Sequence, residues 1–470
     1  MGRSAAIAGC ALLPRQLPAA RGRRGGKPNI IFILADDLGY ADLSCYGRTE
    51  YRTPNIDGLA RAGMKFVQAY ANSAVCSATR VGLITGRYQD RLAAGLEEPI
   101  ANRDVGLPAE HPTLPTLLRV LGYKTNLVGK WHLGSLPTYG PLQSGYDHFW
   151  GFRGGAVDYF THDFAGRADL WDDDRAIQHP GYLTDLLGDV ACQTVERHAR
   201  TDEPFFLSLH FNAPHWPWEG PDDQAESQRL AADKTAGGIV HYDGGALKTY
   251  AAMVNRMDTQ IGRVLKSLAR AGIARDTIVI FTSDNGGERY SNTWPFSGKK
   301  TELLEGGLRI PAIVRWPGVV PAGSMSDQVM MSMDWLPTLL AAAGGRPDPA
   351  FPSDGIDLGA ILRAGAPPVS RMVCWRYLNL AQEACRDGDW KYLKILKNTF
   401  LFNVADDPQE RANLKGRHPD IYQRLVAEYH AWEATMLPLD FGAFTSGFTG
   451  DTWADHFGVN KSRMTAPDKD

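Results

Sequence analysis

"NIIFILADD", residues 29 to 37, carries five consecutive large apolar residues and stops at two carboxylates, Asp36 and Asp37. An apolar run this short, without polar alternation, predicts a strand buried on both faces of a largely parallel sheet. The pattern recurs. "TNLV" (125–128) ends in "GKWH", with Lys130 and His132; "FFLSLHF" (205–211) ends in "NAPH", with His215; "TIVIFT" (277–282) ends in "SDNGG", with Asp284 and Asn285. Between these runs lie "YLTDLLGDVACQTVERHAR" (182–200) and "TYAAMVNRMDTQIGRVLKSLARAG" (249–272), whose apolar residues recur at helical spacing. Alternating strands and helices predict an α/β fold: a large, mostly parallel central sheet flanked by helices. In such sheets ligands bind beyond the carboxyl ends of the strands, so the four polar clusters are expected to converge on one site.

Further along, a Pro- and Gly-rich passage at 346–370 gives way to short strand-like runs, "RMVCWRYL" (371–378), "ACRDGDWKYLKI" (384–395) and "TFLFNVADDP" (399–408). A helix-like stretch, "PDIYQRLVAEYHAWEATM" (419–436), follows. The expected division is a lead-in over 1–27, a catalytic domain over 28–368, and a smaller antiparallel α+β domain with a terminal helix and tail over 369–470. The polar, Gly-bearing segment 224–245 is expected to be a surface insertion.

The composition excludes several classes. A net charge of -3 argues against a nucleic-acid partner. No apolar run reaches the ~20 residues of a transmembrane segment. The start, "MGRSAAIAGCALLPRQLPAARGRRGG", reads either as a minimal secretory signal, which favours a periplasmic or secreted location, or as a plain lead-in. None of the six cysteines lies in a CxxC pair, which removes zinc-ribbon and thioredoxin readings. Cys374 and Cys385 could pair across a hairpin, although most such cysteines are free.

Asp36, Asp37, Asp284 and Asn285 offer hard oxygen ligands and no sulfur, a set suited to Ca2+, with Mg2+ as the alternative, rather than zinc. Lys130, His132, His215, Arg80 and a lysine of "GKKTELLEGG" supply cations and proton carriers. One divalent metal with these groups suits a tetrahedral oxyanion.

The ordered series "NIIFILADDLGYADLSCYG", "CSATRVGLITGRY", "GKWHLG", "NAPHWPW", "VIFTSDNGG" and "GKKTELLEGGLRIPAIVRWPG" resembles the type I sulfatases of the alkaline-phosphatase superfamily, over roughly residues 28 to 435. The resemblance implies that Cys76, with Ala78 and Arg80 in a C-x-[P/A]-x-R motif, is oxidised to formylglycine by a separate formylglycine-generating enzyme. It implies hydrolysis of a sulfate ester on a small molecule or glycan. The hydrated aldehyde, held on the metal beside Asp284, is the nucleophile, and the metal ligands are Asp36, Asp37, Asp284, Asn285 and the modified Cys76. Lys130, Lys300 and Arg80 balance charge on the sulfuryl oxygens. His215, with Lys300, protonates the departing alcohol, and His132 takes the proton whose loss expels sulfate. Lys300 is preferred to Lys299 because it stands five residues before Glu305, as in the family motif. Glu305 is expected to orient Lys300 or cap the following turn, and Arg87 to pair within its helix region. One departure stands out: glycines occupy "GFRGGAVDY" (151–159) where some members of the family carry a serine. Asp172, Asp173 and Asp174 either bind sugar hydroxyls or are simply solvated. Alternatives on the same scaffold are a phosphodiester or phosphonate monoester hydrolase, and a non-catalytic binder of sulfated glycans.

Overall fold

The computed structural model describes residues 26–96, 104–164, 166–232, 244–363 and 366–440. Most of the possible signal segment, residues 233–243 of the insertion at 224–245, and the tail after 440 lie outside these residues. The opening run forms strand β1 (Asn29–Ala35), buried at every position. Helix α1 (Cys76–Thr85) follows. Next come β2 (Lys124–Lys130), β3 (His148–Phe152), helix α2 (Leu183–His198), β4 (Phe205–His210), helix α3 (Leu247–Arg270), β5 (Thr277–Ser283) and β6 (Ala312–Arg315).

These strands build a ten-stranded sheet in which β5, β1, β4, β2 and β3 lie side by side in that order. All four pairings among them are parallel. β6 joins β5 antiparallel, so the sheet is mixed at its margins. Because successive strand residues face opposite sides, β1 serves two cores. Ile31, Ile33 and Ala35 pack with α2 and α3. Ile30, Phe32 and Leu34 pack on the other side with Val81, Leu83 and Ile84 of α1. This explains the unbroken apolar run from Ile30 to Ala35: both faces are covered, so neither parity of side chain meets solvent.

The C-terminal strands β7 (Met372–Tyr377), β8 (Gln382–Asp387), β9 (Trp390–Ile395) and β10 (Asn398–Asn403) form a four-stranded antiparallel sheet. Helix α4 (Pro419–Glu433) packs on it. Its core also contains Tyr70, Val75, Ala78, Leu303 and Leu308 of the larger part. The Trp375 indole donates to the Ala71 carbonyl at 2.9 Å. The small sheet therefore buttresses the start of the helix that carries Cys76. Cys374 and Cys385 are cross-strand partners, as a hairpin pairing requires, yet they are free thiols with sulfurs 3.1 Å apart. Among the described residues, no helix is long and apolar enough to cross a membrane. Part of the 224–245 insertion forms a helix, Gln224–Ala232.

Candidate active site

The carboxyl ends of β1, β2, β4 and β5 deliver the four polar clusters to one place, and α1 enters from its N-terminus. Cys76 is the first residue of α1 and is 1% exposed. The chain before it is braced by Thr79, whose hydroxyl donates to the Ser73 carbonyl and accepts from the Ser73 amide, both at 2.9 Å. At the far end Gly86 adopts a left-handed φ of 67° and closes the helix with a bond to the Gly82 carbonyl, a conformation that favours glycine.

Asp36, Asp37, Asp284 and Asn285 are all buried. The Lys130 ammonium donates to Asp36 Oδ2 at 2.6 Å. Arg80 donates to Asp284 Oδ2 through Nη2 at 2.9 Å and Nε at 3.2 Å, and its Nη1 reaches the Lys130 carbonyl at 3.2 Å. Asn285 Nδ2 donates to Asp37 Oδ1 at 2.7 Å. Lys300 Nζ donates to Asp37 Oδ2 at 2.8 Å, and His215 Nε2 lies 3.5 Å from the same oxygen. Lys300, not Lys299, thus enters the cluster. Asp37 and His132 hold φ near 60°, a region that costs about 1 kcal/mol for a residue with a Cβ. Strain of this kind concentrates at functional positions.

The charges are interdependent. Burial tends to raise the Asp284 carboxyl, but Arg80 and Lys130 hold it at about 2. Burial and the neighbouring Asp284 push Asp36 well up. Burial opposes the Lys300 ammonium, yet Asp37 and further anions raise it well above the ordinary lysine value. The His132 imidazole is pushed well down by burial and by Lys130, and that of His215 by burial and by Lys300. The Cys76 thiol is driven well up by burial, more than Lys130 and Lys300 can offset. A thiol so protonated is a poor nucleophile, which disfavours chemistry by unmodified Cys76.

Whether the site fits a cation can be judged from its oxygens. Asp36 Oδ1 and Asn285 Oδ1 are buried and have no hydrogen-bond partner among the described residues. Ligand atoms of Asp36, Asp37, Cys76 and His215 lie within 4.8 Å of one another. Orphaned buried oxygens are costly unless something satisfies them. An oxygen-rich set with several carboxylates and a carboxamide fits a hard divalent cation.

Some residues behave differently from expectation. Glu305 does not orient Lys300. Its carboxylate accepts from Tyr70, Arg309 and Lys391, a buried network beneath the small sheet. Arg87 pairs outside its helix region, with His111 Nε2 at 3.3 Å. In the acidic run at 172–174, Asp172 pairs with His148 and Arg175, Asp173 accepts from the Phe149 amide, and the exposed Asp174 lies near Arg153. Two features escaped the sequence reading. Glu288 is buried with Oε1 3.3 Å from Lys300 Nζ. Gly155 lies so close to His132 that an added Cβ would sit 2.6 Å from ring atom Cε1.

The mixed α/β sheet is that of the alkaline-phosphatase-like fold, and its strand ends gather a buried helix-terminal cysteine, lysines, histidines and acidic groups that could hold a cation. The sulfatase family profile matches residues 28–345, and the chain belongs to the sulfatase family, the sulfuric ester hydrolases. It is 30% identical to mouse arylsulfatase J, over 88% of this chain and 77% of that one. It is 33% identical to pig N-acetylgalactosamine-6-sulfatase, over 70% of this chain and 65% of the other. Human arylsulfatase A is 30% identical, over 85% of this chain and 86% of its own length. Among solved structures, Ps i-CgsB in complex with k-i-k-neocarrahexaose superimposes with a TM-score of 0.80 at 29% identity, covering 91% of this chain and 97% of the other. The phosphonate monoester hydrolase of Agrobacterium radiobacter shares the fold, with a TM-score of 0.63 at 21% identity.

Proposed function

We propose that this chain hydrolyses a sulfate monoester through a formylglycine made from Cys76 by a formylglycine-generating enzyme, with a Ca2+ ion held by Asp36, Asp37, Asp284 and Asn285. The observation that carries the reading is the placement of Cys76 against Asp36, Asp37 and His215 in one buried group of potential ligands, beside two orphaned oxygens. The hydrated aldehyde would supply the oxygen nucleophile that a buried, protonated thiol does not, and the cation would supply Lewis acidity.

The chain's own residues then divide the remaining work. Arg80, Lys130 and Lys300 offset the charge that develops on the sulfuryl oxygens. As the ester S–O bond breaks, its electron pair passes to the alcohol oxygen, which takes a proton from the Lys300–His215 pair. His215 Nδ1 lies 2.6 Å from the Trp216 carbonyl, so Nδ1–H donates there. Nε2, 3.5 Å from Asp37 Oδ2, gives a proton only when the ring is protonated, and in the neutral ring that burial favours the proton comes from the Lys300 ammonium. His132 is buried, and among the described residues neither of its ring nitrogens has a hydrogen-bond partner. It is therefore available to accept the proton whose removal frees sulfate.

Similarity to a structure solved with a neocarrahexaose and to an N-acetylgalactosamine-6-sulfatase supports a sulfated carbohydrate as substrate. The test is a paired measurement on protein co-produced with the modifying enzyme: kcat/KM for 4-nitrophenyl sulfate and for bis(4-nitrophenyl) phosphate. The sulfate is expected to be the better substrate, and Cys76→Ala inactive on both. A preference for the phosphodiester would refute the sulfatase reading in favour of a phosphodiesterase.

A further inference from the structure

Lys300, like Arg80, is held by carboxylates from two separate elements, but its charge sits at the end of a flexible stem. From the end of β1, Asp37 Oδ2 accepts from Nζ at 2.8 Å. From the turn after β5, Glu288 Oε1 lies 3.3 Å from the same nitrogen. Both members of this second pair are shielded, with side chains 6% and 4% exposed. The turn is also stitched to Lys300 through the backbone, since the Lys300 amide donates to the Gly287 carbonyl at 3.0 Å. Its far end is tied down by Ser291, whose amide donates to the Glu288 carbonyl at 3.1 Å and whose hydroxyl donates to Asp42 at 2.6 Å.

A buried ion pair is weak evidence for stability, because desolvation consumes most of the Coulombic gain. A lysine, however, ends a flexible four-carbon stem with a compact charge, and one anchor leaves that charge free to swing. We propose that Glu288 is a positioning residue that fixes the Lys300 ammonium where the departing alcohol oxygen takes its proton. This deepens the sulfatase reading and rests on it. Glu288 touches Lys300 rather than the ester, so its effect scales with how much the leaving group needs a proton.

The experiment is a series of aryl sulfates with leaving groups of graded acidity: 4-nitrophenyl, phenyl and 4-methoxyphenyl. kcat/KM is measured for the wild type, Glu288→Gln and Glu288→Asp. Positioned acid catalysis contributes about 100-fold or more when the leaving group is poor and much less when it is good. Glu288→Gln is therefore expected to lose at least about tenfold more on phenyl sulfate than on 4-nitrophenyl sulfate, with Glu288→Asp restoring part of the difference. The comparison is a ratio between substrates within one preparation, so a reduced folded fraction does not affect it. Equal losses across the series, or no loss, would overturn the positioning role. Failure of the wild type, with aldehyde at Cys76, to cleave any aryl sulfate would instead overturn the sulfatase reading.

Discussion

Gly155→Ala provides a sharp probe of His132. An added Cβ would sit 2.6 Å from Cε1 and 2.7 Å from Nε2 of the ring, whereas carbon contacts settle near 3.5 Å or beyond, so the ring must retreat by about 1 Å. The backbone of His132 cannot follow easily. Its amide donates to the Arg153 carbonyl at 3.1 Å, and its carbonyl accepts from Ser77 at 2.9 Å. Gly155 is not among the residues with positive φ, so alanine adds no backbone strain and the fold should persist. A displacement of about 1 Å at a catalytic group costs on the order of 100-fold in rate, equivalent to about 2.7 kcal/mol of barrier. If His132 acts after the alcohol has left, stopped-flow with 4-nitrophenyl sulfate should show a burst of nitrophenol equal to the active-site concentration, then slow turnover. Near-wild-type kcat would show that the ring position is unimportant. A slow reaction without a burst would place His132 on the earlier step.

Other perturbations test separate parts of the account. Lys391 is fully buried between Glu305 and Glu410, each at 2.9 Å. Lys391→Ala should cost about 3–5 kcal/mol in denaturant unfolding because it strands buried carboxylates; a loss below about 1 kcal/mol, the size of an exposed pair, would contradict this. Burial first, then Asp158, pushes the Glu219 carboxyl up to about 10, against about 4.3 in an unfolded chain. Its contribution is present below the unfolded value and is lost as pH rises towards 10, by up to about 1.4 kcal/mol per pH unit. The melting temperature of Glu219→Gln should therefore gain on the wild type between about pH 5 and about pH 9, and an equal offset at both would refute the shift. Adding Ca2+ after chelation should raise the melting temperature, with about 2.7 kcal/mol of stabilisation at 100 times Kd. Asp36→Asn should shrink that gain, and an undiminished gain would place the ion elsewhere.

The sequence and the structure meet most closely where strands end. The apolar run 29–35 needs both faces covered, and that demand alone places Asp36 and Asp37 at the carboxyl end of a central strand. The same reasoning locates Lys130, His215 and Asp284. Lys300 was chosen over Lys299 through the family motif, since nothing in its local spacing says which of the two lysines turns inward. The fate of Glu305 was missed because its partners, Tyr70 and Lys391, lie far away in the chain and belong to two different sheets. Glu288 escaped for a related reason: a carboxylate in a glycine-bearing turn looks solvated until the fold folds Lys300 over it. The free state of Cys374 and Cys385 depends on oxidation rather than on register, which a sequence does not encode.

The central claim is that Cys76 becomes the nucleophile. The direct measurement is the mass of the tryptic peptide "FVQAYANSAVCSATR", Phe66 to Arg80, from protein made with and without an active formylglycine-generating enzyme, alongside turnover of 4-nitrophenyl sulfate. The account predicts a peptide in which oxygen has replaced sulfur and two hydrogens, with turnover proportional to its fraction. Full turnover by chains that keep the plain thiol would contradict it.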